Sequence, residues 1–136
     1  MRNKFSQYQS RLWTIEYPQD WIVEEHSECF SFYAENGVGA LQISNYSKDE
    51  TVTVEDLKEF TENEVPEDDE IKNVTVGNCS GLGAEFQYKD HFWRMWFLAK
   101  GKNFFYITYN CEFEDHDVEK EVVNQIIDTF KCIDQE

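Results

Sequence analysis

The chain has 136 residues, 40% hydrophobic and 16% aromatic, with 28 acidic against 12 basic side chains and a formal net charge of −16. That apolar content fits one globular domain with a real core and excludes a disordered chain. The acidity disfavours binding to nucleic-acid phosphates or to an anionic membrane surface. The charge is also segregated: residues 47–75 carry −8 and residues 111–136 carry −7, whereas residues 76–110 carry +2. No apolar run follows the basic residues near the N-terminus, so we expect neither a signal peptide nor a membrane span. A cytoplasmic setting with reduced cysteines follows as an expectation. Cys29, Cys79, Cys111 and Cys132 are too scattered for a metal knuckle.

In chain order, Leu12 to Tyr17 alternates weakly and stops at Pro18, which predicts a first strand. Tyr17-Pro18-Gln19-Asp20-Trp21 reads as a turn with an aromatic anchor behind it. Cys29 to Ala34 is a strand with Phe30 and Phe32 on one face, and Glu35-Asn36-Gly37 turns it into a partner at Ala40 to Ser44. A short helix follows, with Thr53 as cap, Asp56 completing a capping box, and Val54, Leu57 and Phe60 inward. It ends before Pro66. After an acidic loop, Lys72 to Val76 can form a strand, followed by a glycine-rich turn from Gly77 to Gly83.

Ala84 to Tyr88 then alternates cleanly. His91 to Ala99 and Phe104 to Tyr109 are apolar on both faces, as strands in the middle of a doubly covered sheet should be. In the last stretch Val118, Val122, Ile126, Phe130 and Ile133 recur at helical spacing, with Val123 and Ile127 widening the stripe. This predicts a long C-terminal helix docked on a sheet, with Asp115 or Asp117 at its cap. The fold class is α+β: a single domain with an antiparallel sheet of about six to seven strands and helices packed on its faces.

Tyr17-Pro18-Gln19-Asp20-Trp21, the strand pair, the helix, the aromatic meander and the terminal helix together resemble the PsbP-like fold group. That group includes the Ran-binding Mog family, the photosystem protein PsbP and bacterial DcrB-like proteins. The resemblance spans roughly residues 10 to 132 and implies helices on both faces of the sheet. It implies no activity, because the group shares no catalytic residues.

The residues that suggest chemistry have simpler readings. Gly77-Asn78-Cys79-Ser80-Gly81 has the spacing of a nucleophile elbow, but a strand rather than a helix follows it. His91 and His116 are candidate partners that nothing positions. The acidic clusters at 64–70 and 112–117 lack the central glycine of a calcium loop, and His26 reads as a surface residue. Phe92, Trp93, Trp96 and Phe97 could line a pocket, though core is the simpler role. No cofactor or metal is expected.

The leading expectation is a non-catalytic domain that binds a basic protein partner through Glu112, Glu114, Asp115, Glu119, Glu121 and Asp128. An immunity-type protein masking a cationic toxin would be one such case. The alternatives are a carrier of a small apolar ligand between sheet and helix and, less well supported, a thiol hydrolase at Cys79.

Overall fold

The computed structural model describes residues 4–27 and 29–133. Ten strands and two helices follow one another as β1 (Phe5–Gln9), β2 (Trp13–Pro18), β3 (Trp21–Glu25), β4 (Cys29–Ala34), β5 (Gly39–Ser47), α1 (Val54–Glu64), β6 (Lys72–Val76), β7 (Cys79–Tyr88), β8 (His91–Lys100), β9 (Asn103–Glu112), α2 (Lys120–Ile127) and β10 (Lys131–Cys132). Seven strands make one antiparallel sheet in the order β3-β4-β5-β9-β8-β7-β6, and β1-β2-β10 form a small second sheet. The antiparallel sheet is as expected, but the strand expected at Leu12 to Tyr17 lies in the second sheet as β2, and β3 takes the seventh place in the main one. The short strands β1, β3 and β10 were not expected.

β8 and β9 stand at the centre, and their two-sided apolar character follows from their surroundings. On one face Phe92, Trp96, Leu98, Phe105, Ile107 and Tyr109 join a core completed by Trp13 and Ile15 of β2 and by Val123, Ile126 and Ile127 of α2. On the other, Met95, Phe97 and Phe104 join Leu82, Phe86 and, from α1 and its flanks, Val52, Leu57 and Val65. Successive residues of a strand face opposite ways, so one run of aromatics serves both cores.

The capping box of α1 forms as expected. The Asp56 amide donates to the Thr53 hydroxyl (3.2 Å), and the Thr53 amide donates to the Asp56 carboxylate (2.8 Å). Its inward face differs from the expected one. Leu57 and Thr61 are buried, whereas Val54 and Phe60 are exposed. Phe60 lies flat against Phe104 at 4.3 Å, covering the rim of the core instead of entering it.

The C-terminal stretch is the main correction. The helix is eight residues long, not the sixteen or so that its periodicity suggested. Val118 is 65% exposed, upstream of the helix in a run of turns. At the other end the amides of Thr129 and Phe130 turn to the carbonyls three residues back, Ile126 and Ile127, which tightens and ends the helix. The Thr129 hydroxyl donates to the Ile126 carbonyl and accepts from the Glu16 amide (2.8 Å), drawing the chain toward β2. Lys131 and Cys132 then pair with Thr14 and Trp13. Phe130 stays buried, but as the residue that leads into a strand. Among the described residues no helix is long and apolar enough to cross a membrane.

Candidate functional site

Two neighbouring features at one end of the main sheet combine exposed acids with exposed aromatic rings. Tyr88 and His91 close the β7–β8 hairpin around Lys89 and Asp90, and His91 pairs in turn with Glu112 at the end of β9. Lys89 has φ +55°, the left-handed turn conformation of this tight hairpin. The Phe113 amide donates to the Asp90 carbonyl (2.7 Å), which fixes the 3₁₀ turn Phe113–Asp115 against the hairpin. His116 stacks on Phe113 at 4.6 Å and its ring nitrogen meets the Phe113 carbonyl at 2.7 Å.

This turn gathers Glu112, Glu114 and Asp115, whose carboxylate oxygens lie within 4.8 Å of one another. Glu112 and Glu114 are exposed and Asp115 is half-buried. No ion pair among the described residues engages them. Among the described residues they form the one group of three or more His, Cys, Asp or Glu side chains close enough to share a metal ion. Three carboxylates supply only part of the six to eight oxygens that calcium takes.

The other expected partner-binding residues lie elsewhere. Glu121 on α2 and Asp128, which caps its C-terminus, are exposed. Glu119 does not belong with them, because it is 7% exposed and points inward. Its carboxylate accepts from the buried Tyr109 hydroxyl (2.7 Å) and from the Gly39 amide (3.1 Å). Burial, and then the hydrogen bond to Glu119 and its charge, push the Tyr109 pKa up. The close approach crowds the positions of Gly37 and Gly39. A Cβ at Gly37 would lie 2.6 Å from a Glu119 oxygen, and one at Gly39 would lie 2.6 Å from the Tyr109 oxygen. Helical spacing held the signal: Glu119 lies four residues before Val123, on the face that α2 buries through Val123, Ile126 and Ile127.

On the α1 face of the same end, a cleft of about 380 Å³ opens between the sheet and the C-terminus of α1. Phe86, Tyr88, Trp93 and Tyr106 supply its rings, and Asn63, Glu64 and Pro66 supply its other wall. Phe86 and Trp93 are cross-strand partners. The Tyr106 hydroxyl lies 3.4 Å from a Glu64 oxygen, and burial followed by the Glu64 charge pushes its pKa up. Of the four aromatic residues proposed to line a pocket, Trp93 lines this cleft and the edge of Trp96 reaches a separate recess beside Arg94. Phe92, Trp96 and Phe97 are buried in the two cores.

Cys79 is not in a loose glycine turn. Gly77 and Asn78 alone make the turn, and Cys79 begins β7 with 2% exposure. Burial and the neighbouring Cys132 thiol push its pKa up to about 12, against the depressed value a nucleophilic thiol needs. No helix follows it. Since Ser80 pairs with Ala99, His91 lies roughly 25–30 Å away along β8 at the usual strand rise. We expect Cys79→Ser to cost about 1–2 kcal/mol, the scale for moving a hydroxyl into a buried site, less what the Asn78 Oδ1 acceptor 3.6 Å from the sulfur returns. Chemical denaturation tests this; a neutral substitution would mean the site is wetter than its burial indicates.

Comparison with protein-family models and with curated proteins gives no match. Among solved structures, a protein from Bacteroides thetaiotaomicron VPI-5482 is similar over 99% of this chain and 50% of its own, at 19% identity and a TM-score of 0.69. This chain therefore spans about half the length of that protein. The solution structure of cyanobacterial PsbP (CyanoP) from Synechocystis sp. PCC 6803 is similar over 98% of this chain and 95% of its own, at 12% identity and a TM-score of 0.68. Identities this low speak for the fold alone, and on that evidence the chain has a PsbP-like fold.

Proposed function

We propose that this chain is a non-catalytic interaction domain whose acidic surface binds a basic protein partner. The observation that carries this reading is the uncompensated cluster of Glu112, Glu114 and Asp115, held together by a turn that is itself tied to the β7–β8 hairpin. Carboxylates so close repel one another, and a cationic partner would relieve that repulsion. Glu121 on α2 and Asp128 just past its end add exposed acids apart from that cluster. Exposed charges of this kind act mainly on encounter rate and on rejection of wrong partners. An inhibitor that masks the cationic surface of a toxin is one protein type that fits. Glu119 has no place in this surface, since its carboxylate is engaged internally.

The test uses a dye-labelled arginine–glycine repeat peptide as a basic probe. Reversing Glu112 and Glu114 to lysine should leave the fold intact, because both side chains are exposed. Association of the peptide should slow and its salt dependence should flatten. Unchanged rates with an unchanged salt slope would reduce the acidity to a solubility feature.

A further inference from the structure

We propose that the aromatic cleft beside the end of α1 receives an arginine side chain of the basic partner, an inference that rests on the reading just given. Phe86, Tyr88, Trp93 and Tyr106 present ring surface in a recess of about 380 Å³. Tyr88 is 55% exposed and Trp93 is half-buried, so this surface is open to an occupant.

The rim selects the occupant's charge. Glu64 stands against the Tyr106 hydroxyl at 3.4 Å, and Pro66 opens the acidic loop Glu67 to Glu70. An anion would be repelled there. A purely apolar side chain would cover Glu64 without compensating it, and burying a carboxylate unpaired is costly. A cation meets both requirements, with its charge toward Glu64 and its body on the rings.

The same hairpin shows the chemistry with its own cations. The Lys89 ammonium lies 5.5 Å from the centre of the Tyr88 ring. On the opposite face the Arg94 guanidinium sits 4.7 Å from the centre of the Trp96 ring, beside Glu85 at 3.6 Å. That arrangement of guanidinium, indole and carboxylate is the one we infer between the partner's arginine, Trp93 and Glu64. Arginine suits it better than lysine, because its planar group stacks on an indole while its N–H fork still reaches a carboxylate.

The experiment compares three peptides of identical spacing, carrying arginine, lysine or the neutral isostere citrulline, on the intact chain and on the variants Trp93→Leu and Tyr88→Ser. Tyr88 is exposed, so its variant keeps the test valid if Trp93→Leu perturbs folding. Binding of the arginine peptide should fall about five- to thirtyfold in each variant, the range for a partly to fully desolvated cation–π contact. Its salt slope should change little. Lysine should bind more weakly than arginine, and citrulline weakest. Arginine binding that is salt-dependent but indifferent to both variants would overturn the cleft and leave the acidic-surface reading standing. Equal binding of arginine and citrulline would overturn the proposed charge selection. Failure of every peptide to bind would overturn both readings.

Discussion

Phe130→Ala should destabilise the protein by about 3–5 kcal/mol, the range for emptying a large aromatic site in a core. The side chain is fully buried between the two sheets. Its ring stacks on Trp13 of β2 at 6.2 Å and meets Phe105 of β9 edge-on at 5.5 Å. Both neighbours are held by strand pairing, so the layers cannot close over the vacated space, and the cost should fall toward the upper part of the range. The backbone is equally confined, since a Cβ at Gly77 would lie 2.0 Å from the Phe130 carbonyl oxygen. Phe60→Ala is the internal control. That ring is 41% exposed and touches Phe104 from outside, so its removal should cost far less. Denaturant midpoints and slopes for both variants give the comparison. A loss below about 1 kcal/mol at Phe130, the size of a surface change, would mean that the small sheet is not docked as described.

The contrast between Phe130 and Val118 shows which features were legible in the sequence. Helical spacing picked out Val122, Ile126 and Phe130 correctly as residues near or in the core, because a side chain's hydrophobicity is a local property. Spacing says nothing about where the backbone stops being helical. That depends on Thr129 finding Glu16 and on Lys131 and Cys132 finding β2, contacts between the two ends of the chain. The small strands escaped notice for the same reason. Phe5-Ser6-Gln7-Tyr8-Gln9 carries too little apolar pattern to read as a strand until β2 is there to pair with it.

Local signals were reliable where they were complete. The Thr53–Asp56 capping box spans four residues and needs no tertiary partner, and it formed. The central strands were readable because few solvated structures tolerate aromatic residues on both faces. The aromatic cleft was only partly legible. Trp93 and its neighbours look alike in sequence, and strand parity together with the position of α1 decides which of them reach the surface. The acidic cluster was readable as composition, but its compactness comes from the tie between Phe113 and Asp90.

Glu119→Ala should be the most damaging substitution among the acids of this chain, at roughly 2–4 kcal/mol. The carboxylate joins three elements, since it sits at the start of α2 and accepts from Tyr109 of β9 and from Gly39 of β5. Its removal leaves a buried hydroxyl and a backbone amide without their acceptor, at about 1–3 kcal/mol each before relaxation or water entry offsets part. Glu119→Gln keeps the shape and one acceptor oxygen, so it should recover more than half of that loss. Charge reversal at exposed Glu112 should do almost nothing to stability. A pH series adds an independent check through Tyr109. Its pKa is raised in the folded protein, so the neutral phenol is the favoured form there. The stability this provides is complete below pH 10, where an unfolded tyrosine also keeps its proton. It declines as the pH rises past 10, because the unfolded chain then ionises while the folded one does not. The stability advantage of the native chain over Tyr109→Phe should therefore shrink between pH 9 and pH 11. An advantage that stays constant across that interval would show that the Tyr109 phenol is not buried as described, and a Glu119→Ala variant as stable as the native chain would show that the Glu119–Tyr109 bond does not hold α2 to the sheet.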